Sequence, residues 1–106
     1  MLRFNENNEI VKEEYRVIIV GIRLDDDISY SMDELEGLAG ADGIEVLGRV
    51  IQALEKPHTA TLIGKGKVQE LAEMCSAMGA DTIVFNEELS GVQMRNLEEA
   101  TGARII

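Results

Sequence analysis

Apolar residues are distributed along this chain in two distinct rhythms. Residues 15–24 (Y-R-V-I-I-V-G-I-R-L) are β-branched and nearly continuously apolar, the pattern of a strand buried on both faces. Asp25-Asp26-Asp27 ends it. Ser31 with Glu34 three residues on fits a capping box. Met32, Leu35, Leu38 and Ala39 then give a short helix one apolar face, which Gly43 closes. Residues 44–54 (I-E-V-L-G-R-V-I-Q-A-L) fit both rhythms. The weight of Val and Ile, with Gly48 in mid-run, favours a strand, and Glu45, Arg49 and Gln52 favour a sheet edge. Val68, Leu71, Ala72, Cys75 and Met78 recur at helical spacing up to Gly79, a left-handed stop. Residues 81–85 (D-T-I-V-F) predict a short buried strand. Ser90 with Gln93 is a second capping-box pattern, opening a helix to about Thr101 with Gly102 as its stop. Arg104, Ile105 and Ile106 predict the first residues of a fourth strand. No terminating signal follows them, so a longer chain is expected.

The order βαβαβαβ with short connections predicts a single small α/β domain, a four-stranded parallel sheet with helices on both faces. Right-handed crossovers and a polar edge strand give the strand order 2-1-3-4. The domain is expected over residues 15–106, with residues 1–14 a weakly ordered segment. Ligands of such sheets collect where the winding reverses, here beside Asp25-Asp26-Asp27 and Asn86-Glu87-Glu88.

Composition narrows the functions available. With 106 residues and 45% hydrophobic content, one core is affordable and two are not. No apolar run approaches the length of a membrane span. The single cysteine, Cys75, cannot form an internal disulfide, which fits a reducing compartment. The net charge is −10. Residues 1–42 hold four Lys/Arg against eleven Asp/Glu, and residues 43–106 hold six against nine. So acidic a chain is a poor general binder of nucleic acid, whose phosphates are met mainly by Lys and Arg.

Against that background, residues 57–67 (P-H-T-A-T-L-I-G-K-G-K) form a long stretch without a carboxylate, holding the only proline and the only histidine. Gly64, Lys65, Gly66 and Lys67 resemble a phosphate cradle at a helix start. The spacing argues against a nucleotide loop. A Walker A pattern needs glycine at Thr61 and Ser or Thr at Val68, and a dinucleotide fingerprint needs glycine at Gln69. A basic, backbone-accessible contact for RNA or a partner domain remains, with nucleotide (ATP) binding as the alternative.

The aspartate triplet raises a further alternative, a receiver-like regulatory domain. Such a domain needs an aspartate where Asn86 stands. Asn86, Gln93, Arg95 and Asn96 gather around the last helix start. Gln93 and Asn96 fall beside Leu89, Val92 and Ala100 on the helical wheel, so they need polar partners, either loop backbone or an adjoining domain. His58 has no second His or Cys nearby to share a metal. Neither catalytic residues nor a metal site are expected, and Cys75 lies on the apolar stripe of its helix.

Three stretches together resemble the N-terminal domain of the HflX GTPases. These are T-A-T-L-I-G-K-G-K-V-Q-E-L, then G-A-D-T-I-V-F-N-E-E-L-S-G-V-Q-M-R-N-L-E, then T-G-A-R-I-I. Gly64, Gly66, Lys67, Asn86, Leu89, Ser90, Gln93, Arg95, Asn96, Leu97 and Glu98 carry the match, which is strongest from about Ile44 to Ile106. The resemblance implies a cytoplasmic protein that continues into a helical segment and a G domain binding GTP and Mg. It implies a large ribosomal subunit (rRNA) partner, and a role in translation and stress response through ribosome splitting. This stretch carries no GTP motif, so no cofactor and no catalysis are expected of it. It would contact the ribosome or its own G domain and couple the two.

Overall fold

The computed structural model describes residues 2–4, 6–12, 14–23, 37 and 43–106. The aspartate triplet and the helix expected between Ser31 and Gly43 lie outside the described residues. The chain opens with strands β1 (Leu2–Phe4) and β2 (Ile10–Lys12), which pair antiparallel as a sheet of their own. The residue pattern predicts a weakly ordered segment there and no strand. Strands β3 (Tyr15–Arg23), β4 (Ile44–Ala53), β5 (Thr82–Phe85) and β6 (Arg104–Ile105) form the main sheet, with helices α1 (Lys65–Met78) and α2 (Gly91–Thr101) between them.

The main sheet is parallel throughout, in the order β4-β3-β5-β6. With the hairpin set aside this is the expected 2-1-3-4. The apolar run of β3 is central because it can be buried on both faces: residues 17–22 are all buried. Strand β4 lies at the edge because its alternate residues, Glu45, Arg49 and Ile51 among them, are exposed. Its register slips between Val17 and Ile18, where Val46 faces Val17 and Gly48 faces Ile18. Leu47 is therefore an extra residue, and the bulge exchanges the faces of all that follow.

Both helices cover one face. Ile18, Val20 and Ile22 of β3 join Ile83 and Phe85 of β5 beneath Val68, Leu71 and Cys75 of α1 and Leu97 of α2. The alternate residues Val17, Ile19 and Val84 form a smaller cluster on the opposite face, with Tyr15, Ile44 and Val46 packed beside it. A groove of about 320 Å³ runs along that face past Tyr15, Ile44 and Ile106. The Arg104 guanidinium sits 5.8 Å above the Tyr15 ring at its end.

Helix α1 ends on Gly79 at φ 70°, whose N–H donates to the Cys75 carbonyl. An added Cβ there would stand 3.0 Å from the Arg16 guanidinium, so both conformation and space favour glycine. Cys75 is buried in the core cluster, where desolvation pushes its thiol pKa up.

Candidate functional site

The connection from β4 to α1 is built as a closed loop. His58 and Leu62 exchange both backbone hydrogen bonds, each 2.9 Å long. Thr61 Oγ1 donates to the Ile63 carbonyl at 2.7 Å. Closure forces Leu62 to φ 67°, a left-handed conformation uncommon in residues other than glycine. That costs roughly 1–2 kcal/mol. The Leu62 side chain is only 4% exposed, and burying a leucine contributes about 1.5–3 kcal/mol, enough to hold the residue there. Ile63 beside it is fully buried. The loop is thus pinned from beneath by two core side chains, while residues 57–60 stay exposed.

Helix α2 pins the loop from the side. Its capping box is complete: Ser90 Oγ accepts from the Gln93 N–H, and Gln93 Oε1 accepts from the Ser90 N–H. The other end of the same Gln93 amide donates to the His58 carbonyl at 2.9 Å. One turn on, Asn96 Nδ2 donates to the Ala60 carbonyl at 3.0 Å. The polar partners required by Gln93 and Asn96 are therefore loop carbonyls. Val92 and Ala100, which the helical wheel placed beside them, are exposed, and Leu97 is the buried residue of this helix.

The structure divides the sequence-predicted residues into three groups. Gln93 and Asn96 join the loop to α2. Asn86 serves the sheet: its Oδ1 accepts from the Ile22 N–H at 2.7 Å, and its Nδ2 donates to the Ile22 carbonyl at 3.1 Å. Gly64, Lys65, Gly66 and Lys67 form the start of α1, where Gly64 is the N-cap with no side-chain cap bond. Lys65 and Arg95 are exposed, and Lys67 pairs with Glu70 at 2.9 Å. The glycines are not there for a special turn. Gly64 has φ −65°, and a Cβ on Gly66 would meet nothing within 4 Å. The left-handed residue is Leu62, which nothing in the residue pattern marks.

Among the described residues no three His, Cys, Asp or Glu side chains gather as metal ligands. A hollow of about 460 Å³ bounded by Leu54, Lys56, Pro57 and His58 is open to solvent. What the arrangement offers is a braced loop, exposed over residues 57–60, beside a helix start where Lys65 is exposed and Lys67 pairs with Glu70.

If Gln93 and Asn96 anchor the loop, Gln93→Glu with Asn96→Ala should loosen it while sparing the helix cap. Glutamate keeps the oxygen that caps Ser90 and loses the donor to His58. Two net hydrogen bonds of about 0.5–1.5 kcal/mol each are removed. The expected result is roughly tenfold or faster amide exchange at His58 and Leu62, with β3 and β5 amides little changed. Unchanged exchange at His58 and Leu62 would show that the loop is held by its buried side chains alone.

Fold and site together define a small parallel α/β domain whose β4–α1 loop is braced by its last helix. The sequence profile of the family described as "GTP-binding GTPase N-terminal" matches residues 29–106, and the chain belongs to that family. It is 41% identical over 93 residues to a GTPase HflX of Alkalihalophilus pseudofirmus, a match covering 85% of this chain and 22% of that protein. It is 36% identical over 98 residues to a GTPase HflX of Caldanaerobacter subterraneus, covering 92% of this chain and 23% of the relative. The GTPase HflX of Escherichia coli is 36% identical over 75 residues, which is 71% of this chain and 18% of that protein. The chain thus spans about a fifth of the length of these relatives.

Proposed function

We propose that this domain is the N-terminal module of an HflX-type GTP-binding protein, and that it contacts the large ribosomal subunit, its own G domain, or both. In this reading GTP and Mg are bound in the G domain of the longer cytoplasmic protein. The present domain performs no catalysis and couples hydrolysis to ribosome binding or splitting. Family membership supports the GTPase context. The ribosomal contact rests on one observation. On a chain of net charge −10, the helices beside the braced loop carry Lys65 and Arg95, both exposed, and Lys67, which pairs with Glu70. A preorganised loop loses little conformational entropy on docking, and basic groups at a helix start suit phosphate.

The test uses the full-length protein and purified large subunits. Lys65→Ala with Lys67→Ala should weaken association and lower ribosome-stimulated GTPase activity, leaving basal hydrolysis unchanged. If both lysines meet phosphates, the salt dependence of binding should flatten by about one to two counterions. Wild-type affinity with a wild-type salt slope would remove the loop from the interface.

A further inference from the structure

The end of helix α1 meets the edge of the sheet through sulfur. Gly48 of β4 lies just past the bulge at Leu47, opposite Ile18, and its bare backbone leaves a seat on the strand. Two methionines lie over it. A Cβ on Gly48 would stand 3.7 Å from Met78 Sδ, 3.8 Å from Met78 Cε and 3.9 Å from Met74 Cε. Met74 and Met78 are one turn apart near the end of α1, so both come down on the same point of β4. Flexible, unbranched thioethers suit so irregular a seat.

The two differ in access. Met78 ends the helix and is 40% exposed, while Met74 is half-buried and packs against the main core cluster. Met94 is half-buried against the same cluster. Cys75, in the same turn, is 4% exposed with its thiol pKa raised, which leaves little thiolate to react. Met78 is therefore the sulfur-bearing residue of this turn most open to an oxidant. The strand beneath it is less restrained than the sheet centre. Among the described residues β4 is paired on one side alone, and its register to β3 slips beside Gly48.

We propose that Met78 is a site of reversible oxidation by hydrogen peroxide, and that its sulfoxide releases the end of α1 from β4. A lone pair of Sδ attacks one peroxide oxygen and the O–O bond breaks. The departing hydroxide takes the proton from the new S–OH group and leaves as water. Sulfur gives up an electron pair and peroxide is reduced. A thiol-dependent sulfoxide reductase reverses the change. The modification turns an apolar side chain into a polar one. Held against the Gly48 backbone, the new oxygen would lose its hydration, so the side chain turns to solvent and its contact with β4 is lost.

The whole chain can be treated with hydrogen peroxide and mapped by peptide mass, with alkylation under denaturant reporting free Cys75. Met78 should gain one oxygen about fivefold or more faster than Met74 or Met94, while Cys75 stays alkylatable. In the oxidised protein, amide exchange over residues 48–50 should rise about threefold or more, with Ile19 and Val84 little changed. Methionine sulfoxide reductases of both stereospecificities, added together, should restore the original exchange. Met78→Leu keeps the apolar volume and should lose the response to peroxide. Met78→Gln should show the faster exchange without peroxide. Earlier oxidation at Met74, Met94 or Cys75 would overturn the proposal. So would a sulfoxide at Met78 with unchanged exchange over residues 48–50, or a response to peroxide that persists in Met78→Leu.

Discussion

Leu97→Ala should destabilise the domain by about 2–5 kcal/mol, the range for a buried leucine truncated to alanine. Leu97 is fully buried and is the buried residue of α2, the helix that carries Gln93 and Asn96. Its cluster includes Ile63 of the loop and Ile83 and Ile105 of the sheet. A domain of this size has roughly 5–15 kcal/mol in all, so the loss takes a large share. The melting temperature should fall by roughly 10 °C or more. Val92 on the same helix is 57% exposed, so Val92→Ala should cost below about 0.5 kcal/mol. Urea denaturation with unchanged m-values checks both. A Leu97→Ala cost under about 1 kcal/mol would mean that α2 does not seal the core as described.

Much of this architecture is legible in the residue pattern because burial constrains it twice over. The apolar run of β3 can be satisfied only at the sheet centre, and the polar residues of β4 only at an edge. Those two placements, with right-handed crossovers, leave the order that the structure has. Helix ends were equally plain, since Ser90, Gly79 and Gly102 act through local backbone chemistry.

Three features were not legible, for separate reasons. The hairpin hides in polar residues, and its signal is the Asn7-Asn8 turn between Leu-Arg-Phe and Ile-Val-Lys. The β4 bulge at Leu47 is set by how the strand lies on β3, and Gly48 is its only local hint. Left-handed Leu62 owes its conformation to tertiary burial that outweighs a local penalty, an inversion that no propensity scale carries. Candidate contact residues were the hardest to sort. A polar side chain required inside the fold and one presented outward look alike until partners are known. Asn96 and Arg95 are sequence neighbours, one bonded to Ala60 and the other exposed.

Asn86 makes that distinction testable. Its side chain uses both polar atoms on the backbone of Ile22, standing in for a strand neighbour where β5 has ended. Asn86→Ala should leave a part-buried N–H and carbonyl unpaired, at about 1–3 kcal/mol. Asn86→Asp is the sharper variant. An ionised aspartate can accept from the Ile22 N–H but faces the Ile22 carbonyl with no proton to give. The folded state therefore favours the neutral acid, and its pKa there lies above the unfolded value of about 3.9. The sign follows from that shift. Relative to the wild type, the penalty is absent below the unfolded pKa, grows as pH rises, and is complete above the folded pKa. Denaturation of both proteins at pH 7 and near pH 4 reads it directly. The gap between them should narrow at the lower pH. An aspartate variant as stable as the wild type at pH 7 would show that the Asn86 donor contributes nothing, and would return its side chain to the surface available for a partner.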